Sequence, residues 1–357
     1  MKQFLQLVCG ALVIGLLCLG ISHLFSGHEK AKSGKKIYVY NWGEYIDPEL
    51  IKQFENQTGI EVIYETFDSN EAMEAKIKNG GTRYDVAFPS EYTVQKLKRA
   101  NLLVPLNHHK LPNMRNLDPD YLDKSYDKGN QYSIPYFFGT VGILYNKQAY
   151  PDASFNHWSD LYQERYRNDV LLVDGAREII GLSLNKLGYS LNDTNSQHLR
   201  QAEQDLKKLG PQVRGVVGDE VTMMLQQNEG NIAVVWSGVA APLVQGSDKY
   251  NYVVPKEGSN LWFDNMVIPR TAQNKEGAYQ FINFLLDAEN SKKNTEWVGY
   301  ATPNKAARQL LPNEIRNDHR FYPTQQEQAR LEVYKDLGQR TLGNYNESFL
   351  NFKMSLK

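Results

Sequence analysis

Apolar and polar positions alternate along this chain in short blocks. Ile37 to Tyr40 is an apolar run that stops in a polar, aromatic turn, and the pattern predicts a helix starting at Asp47-Pro48. Asp47 has the side chain of an N-cap, and Pro48 suits the first helical position. Leu50 and Phe54, four apart, mark that helix's buried face, and Gly59 is placed to end it. Ile60 to Phe67 then reads as a strand, Ser69 as the cap of a helix Glu71 to Lys78, and Gly80-Gly81 as its close. Tyr84 to Phe88 is a further strand, followed by a helix from Thr93 to Ala100. Strand and helix in repeated alternation predict a mostly parallel sheet with helices on its faces.

Tyr132 to Asn146, punctuated by Pro135, Gly139 and Gly142, reads as a strand passing between domains. A second α/β region follows. Val170 to Val173 leads through Asp174-Gly175-Ala176-Arg177-Glu178 into a helix carrying Ile179, Leu182 and Leu187. Asn231 to Val235 is a strand ending at Trp236-Ser237-Gly238. Tyr252 to Pro255 is another, with Asn260-Leu261-Trp262-Phe263-Asp264 after it, and Asn265 to Ile268 starts one more. Lys275 to Leu286, Thr324 to Leu337 and Tyr345 to Met354 read as helices.

At 357 residues there is length for two domains. Lys and Arg number 40 against 41 Asp and Glu, so no global field points to nucleic acid. Cys9 and Cys18 are the only cysteines, and everything after them is without disulfide or thiolate chemistry. They lie in an N-terminal segment, residues 1–26, that reads as an uncleaved signal-anchor, with a cleaved or lipidated signal as alternatives. Residues 27–36, GHEKAKSGKK, make a polar tether, and the folded part is expected to face outward.

The sequence holds no nucleophile elbow, phosphate loop, dinucleotide fingerprint or zinc signature. His108-His109 cannot face one way on a helix and has no carboxylate at ligand spacing, so no metal site is expected. Asp219-Glu220 gives no facing separation that would argue hydrolysis, and the charge run Lys96 to Arg99 reads as a solvated helix face.

The positive signal is where the aromatics fall. Trp42, Tyr92, Trp236 and Trp262 each sit at or just after the carboxyl end of an expected strand, where ligands bind in open α/β sheets. Any one of them alone is an ordinary packing residue. Acids accompany these ends: Glu44 by Trp42, Glu91 by Tyr92, Asp264 after Trp262, with Glu178 in a fourth loop. Glu91 taken singly reads as a solvated loop acid. Rings attract cations and cover hydrocarbon, while a desolvated ammonium needs a carboxylate. The residues describe a cation-binding cleft between two α/β domains.

YNWGEYIDP, PSEYTVQKL, DGARE, VVWSG, WFDNMVIP and GYATPN, in order along the chain from Ile37, together resemble the spermidine/putrescine-binding proteins of polyamine ABC transporters. That resemblance implies an α/β, two-lobed type II periplasmic-binding-protein fold with crossing hinge strands. It divides the chain into lobe 1, residues 37–140 plus 265–308, and lobe 2, residues 141–264 plus 309–357. It implies an aromatic box of Trp42, Tyr45, Trp236, Trp262 and Tyr300, lined by Ser90 and Tyr92, with Glu44, Glu178 and Asp264 holding amino groups and Tyr334 completing the site. The sequence departs from the family pattern at Gly175 (an Asp there), Tyr334 (a Gln) and Gly43 (a Thr). The implied function is non-catalytic: a monomer without cofactor that captures spermidine or putrescine and presents it to an ABC permease. Another solute bound by the same fold, or a surface hydrolase using two of these acids, stand as alternatives.

Overall fold

A computed structural model describes residues 36–218 and 220–356. The anchor segment, nearly all of the tether, both cysteines and Asp219 lie outside them. No described helix is long and apolar enough to cross a membrane.

The first lobe is built on β1 (Lys36–Trp42), β2 (Glu61–Phe67) and β3 (Val86–Ala87), parallel to one another with β1 in the middle. The helix between β1 and β2 forms for the reasons its sequence shows. The Asp47 side chain accepts from Glu49 N at 2.9 Å, Pro48 begins the helix, Leu50 and Phe54 are buried, and Gly59 ends it in the left-handed region at φ 68°. Ser69 caps the next helix by accepting from Ala72 N. Caps of this kind are each worth about 1 kcal/mol.

β9 (Ser259–Val267) runs antiparallel to β3 and continues the sheet, and β4 (Ser133–Asn146) pairs with β9 from Ser133 to Thr140. From Val141 onward β4 changes partners and pairs with β7 (Ile232–Trp236) and β8 (Tyr250–Val253). β5 (Val170–Val173) and β6 (Val213–Val217) complete this second sheet in parallel. Every residue of β4 and of β9 is buried, as expected of strands covered on both faces. The chain is a two-lobed mixed α/β protein joined through crossing strands.

Two expectations are corrected. Thr324 to Leu337 is not one helix. Thr324 and Glu327 do form a capping box, but the helix lasts only Gln325–Gln328, because Leu331–Glu332 (β10) then pairs with Ser259–Asn260 at the free edge of β9. The final helix begins earlier than expected, at Gly338, and runs to Ser355. Second, Trp262 to Asp264 is not a loop after a strand. It lies inside β9, continuous with Asn265 to Val267.

Candidate ligand cleft

The crossover of β4 gathers the site. Antiparallel register sets Asp264 opposite Phe137, Trp262 opposite Gly139 and Trp236 opposite Val141. Alternate residues of a strand share a face, and directly paired residues point the same way. Asp264, Trp262 and Trp236 are therefore delivered to one face of the junction between the lobes. The indole of Trp262 lies over Gly139, where a Cβ would come within 2.4 Å of its Cζ2.

First-lobe loops close on this face. Trp42, the last residue of β1, donates through Nε1 to Phe88 O at 3.0 Å, and its ring rests 4.5 Å from that of Phe67. Glu44 follows at φ 49°, a left-handed conformation that strains a residue with a long side chain and leaves this carboxylate exposed. Tyr45 turns inward. Its hydroxyl donates to Asp264 Oδ2 at 2.7 Å, and its ring meets Phe137 and Tyr300 edge-on at 5.3 Å and 5.4 Å. Ser90 precedes the helix Glu91–Arg99 but does not cap it; its Oγ donates to Asp264 Oδ1 at 2.6 Å. Tyr300 meets Trp262 at 5.3 Å. Both oxygens of Asp264 are thus held. Burial still pushes its carboxyl up to about 6, with the Ser90 and Tyr45 hydroxyls drawing it down.

Glu178 stands in the first turn of the helix Ala176–Lys186, on the second lobe. Burial raises its pKa, while its own backbone N–H, the Arg177 charge and a hydrogen bond from Tyr334 pull it back and Glu71 opposes them. Its charge reaches Tyr92, whose hydroxyl accepts from Asn70 Nδ2 at 3.0 Å and is held far above its ordinary pKa by burial first. The Trp236 ring is half-buried at the end of β7 and packs against the apolar cluster that contains Tyr45 and Trp262. The structure therefore joins Tyr45, Ser90, Trp262, Asp264 and Tyr300 in one contiguous group, with Trp42 and Trp236 packed against the same apolar cluster. Glu178, whose charge acts on Tyr92, and Tyr334, stacked on the neighbouring Arg177, lie apart from this group, and Glu44 is exposed.

Two departures from the family pattern have a steric reading. A Cβ at residue 175 would lie 2.3 Å from Glu178 Oε2, so the carboxylate occupies the space that an Asp there would need. A Cβ at residue 43 would meet nothing within 4 Å, so the missing Thr leaves packing untouched. Arg177 is absorbed by the fold. Its guanidinium stacks on Tyr334 at 4.1 Å and donates to Leu191 O, Asn192 Oδ1 and Lys335 O. It offers little to an anionic ligand.

Sequence reasoning missed Asn70, which ties Ser90 and Tyr92 together, and Glu71, whose charge acts on Tyr92 and Glu178. It misplaced Glu91. This residue is not solvated: it is 0 % exposed beneath Asp264, and its Oε2 accepts from Phe263 N at 2.9 Å. Burial pushes its carboxyl up to about 8, the Phe263 N–H drawing it down and Asp264 raising it. A folded-state pKa above the unfolded value near 4.3 means the native chain keeps a proton that the unfolded chain releases. Stability is lost as pH rises between those two values, by up to about 1.4 kcal/mol per pH unit, and levels off above them. Glu91→Gln keeps the acceptor and removes the titration. Ligand-free melting curves are expected to show this variant gaining on the parent from pH 5 to pH 8, with no further gain beyond. A difference that does not change with pH contradicts a buried, protonated Glu91.

Two α/β lobes joined by crossing strands, with rings and acids gathered at the junction, define the class of two-lobed solute-binding proteins. Residues 49–322 match the family model of the bacterial extracellular solute-binding proteins, and the chain belongs to that family. Within it, the chain is 40% identical over 328 residues to a spermidine/putrescine-binding periplasmic protein of Salmonella typhimurium, covering 92% of this chain and 93% of that one. The structure is similar to that of a Listeria monocytogenes protein named for spermidine/putrescine ABC transport, with TM-score 0.85 and 55% identity, covering 90% of this chain and 99% of that one. It is also similar to the spermidine/putrescine ABC transporter substrate-binding protein of Streptococcus pneumoniae, with TM-score 0.83 and 50% identity, covering 90% and 100%. These relatives are named for binding or for transport.

Proposed function

We propose that this chain is an extracytoplasmic binding protein that captures a polyamine, spermidine or putrescine, between its lobes and delivers it to an ABC permease. The observation that carries this reading is Asp264: a buried carboxylate fixed by Tyr45 and Ser90, beside the rings of Trp262 and Tyr300. In the closed protein an ammonium group would replace lost hydration with this carboxylate, and the rings would cover the methylene chain. Glu178 would hold an amino group from the second lobe, with Glu44 turning in from its strained loop. Trp42, Tyr92, Trp236 and Tyr334 would line the channel between them. A ligand touching both lobes stabilises the closed state by its differential affinity for it. Supporting features for the remaining parts are the extracellular family and the sequence of the N-terminal segment, which would tether a monomeric receptor at the outer face of the membrane.

The test is calorimetric titration of the ligand-stripped protein with spermidine, putrescine and an uncharged diol of matching length. One-to-one binding of either polyamine and none of the diol is the expected result, and Glu178→Ala should weaken it at least tenfold. Absence of binding to both polyamines removes the function and leaves the fold untouched.

A further inference from the structure

The run Lys96 to Arg99 reads from sequence as a solvated helix face. In the structure Gln95 and Arg99, four apart on one face of their helix, look toward the other lobe. Gln95 Nε2 donates to Tyr334 O at 3.3 Å, and its Oε1 accepts from Asp336 N at 3.4 Å. Arg99 Nη1 reaches Asp336 Oδ2 at 2.8 Å. This ion pair is asymmetric: the Arg99 side chain is 62% exposed and the Asp336 side chain only 7%. A first-lobe helix therefore holds two residues, Tyr334 and Asp336, of the chain that leads into the final helix.

That chain segment belongs to the second lobe. The final helix packs on the helices Ala176–Lys186 and Ser196–Leu209. Asn192 Oδ1 accepts from Lys335 N at 2.8 Å, Arg177 donates to Lys335 O at 3.3 Å, and Asp336 Oδ1 accepts from Gly338 N at 2.9 Å. The Tyr334 ring is clamped under the guanidinium of Arg177, the residue next to Glu178. Residues 334–336 thus run between Arg177, beside Glu178 on one lobe, and the helix that starts at Glu91 on the other. None of Gln95, Arg99 or Asp336 belongs to the group of rings and acids described above.

We propose that Gln95 and Arg99, bonded to Tyr334 and Asp336, form a clasp between the lobes that sets ligand affinity from outside the cleft. The clasp stabilises the closed arrangement whether or not ligand is present. Apparent affinity scales with the population of the binding-competent state, so loosening the clasp weakens binding without removing any ligand contact. The probe rests on the polyamine reading; the conformational measurement does not.

The experiment uses Gln95→Ala/Arg99→Ala and, separately, Asp336→Asn, which removes the charge and keeps the shape. Small-angle scattering of the ligand-free proteins is expected to show a larger radius of gyration for both variants than for the parent. Saturating spermidine should return all three to the same value. The dissociation constant for spermidine should rise about tenfold in the double variant, mostly through faster dissociation, and less in Asp336→Asn. A radius of gyration unchanged in both ligand-free variants, with dissociation constants within twofold of the parent, overturns the proposal. If the parent binds no polyamine, the functional reading falls and the ligand-free scattering still decides the clasp.

Discussion

Asp264→Asn is expected to weaken polyamine binding about 100-fold or more while leaving a cooperatively folded protein. Removing one partner of a buried charge pair costs about 2 to 5 kcal/mol, and each 1.4 kcal/mol is tenfold in affinity. The exchange is nearly isosteric, and the Tyr45 and Ser90 hydroxyls that now donate to Asp264 can rotate to suit an amide. The same residue sets a pH dependence. Its carboxyl is pushed up to about 6 by burial, and a bound ammonium favours the ionised form. Below that value the ligand must displace a proton, so affinity should fall as pH drops from 7 toward 5. The asparagine variant should lose the part of that slope that belongs to this group. In the absence of ligand the sign reverses for stability. A pKa raised from about 3.9 costs the native state as pH rises between the two values, so the variant should melt no lower than the parent at pH 7.5. Calorimetry at pH 7.5 and 5.5 on both proteins settles the matter. Asparagine binding within fivefold of the parent at pH 7.5 would remove Asp264 from the site.

Much of the first lobe is legible in the sequence because its signals are local. Asp47-Pro48, Ser69 and Gly59 act through backbone groups two to four residues away, and the structure places all three in the roles their chemistry allows. The fourfold spacing of Leu50 and Phe54 needs no knowledge of what covers it. Trp42, Tyr45, Ser90 and Tyr92 stand out for a related reason, since they lie at or just after the carboxyl end of a short parallel strand, where the topology opens a cleft. The motifs that carry the family resemblance cover the same loops.

What is not legible depends on long-range register. β4 and β9 are buried on both faces, so they show no alternation to follow, and the segment Asn260 to Asp264 reads as a connection before a strand that starts at Asn265. Both asparagines are buried and bonded inside: Asn265 accepts from the Tyr126 hydroxyl at 2.9 Å, and Asn260 donates to Glu332 O. Trp262 and Asp264 therefore reach the cleft by strand pairing and not as loop residues. Leu331–Glu332 follows a good helix start and is captured by a strand edge, a case in which tertiary pairing overrides local propensity. Glu91 differs from any surface glutamate only in what packs over it, and the grip of Gln95 and Arg99 on residues 334–336 joins segments far apart in the chain.

Gly238→Ala is expected to be the most damaging single methyl group near the cleft. In the helix Ser237–Gly246, exchanging glycine for alanine on propensity grounds would add up to about 1 kcal/mol of stability. Here the added Cβ would lie 1.1 Å from both Cδ1 and Cε1 of Tyr300 and 2.5 Å from its Cγ. No adjustment of a few tenths of an ångström accommodates that overlap, so the ring must leave or the helix must move. Overpacking of this kind costs about 1 to 3 kcal/mol, which outweighs the propensity gain and reverses its sign. The consequence for the site is larger than for the fold. Tyr300 holds Tyr45 and Trp262 edge-on at 5.4 Å and 5.3 Å, and Tyr45 in turn donates to Asp264. Displacing one ring loosens the wall and the carboxylate together, and polyamine affinity should fall about 30-fold or more. A double-mutant cycle identifies the cause. If alanine at 238 acts by evicting the ring, adding Tyr300→Ala to Gly238→Ala should cost little beyond the first change, whereas independent effects would add. Additive losses, or an alanine variant that melts above the parent and binds normally, would show that the close approach of Gly238 and Tyr300 does not shape the cleft.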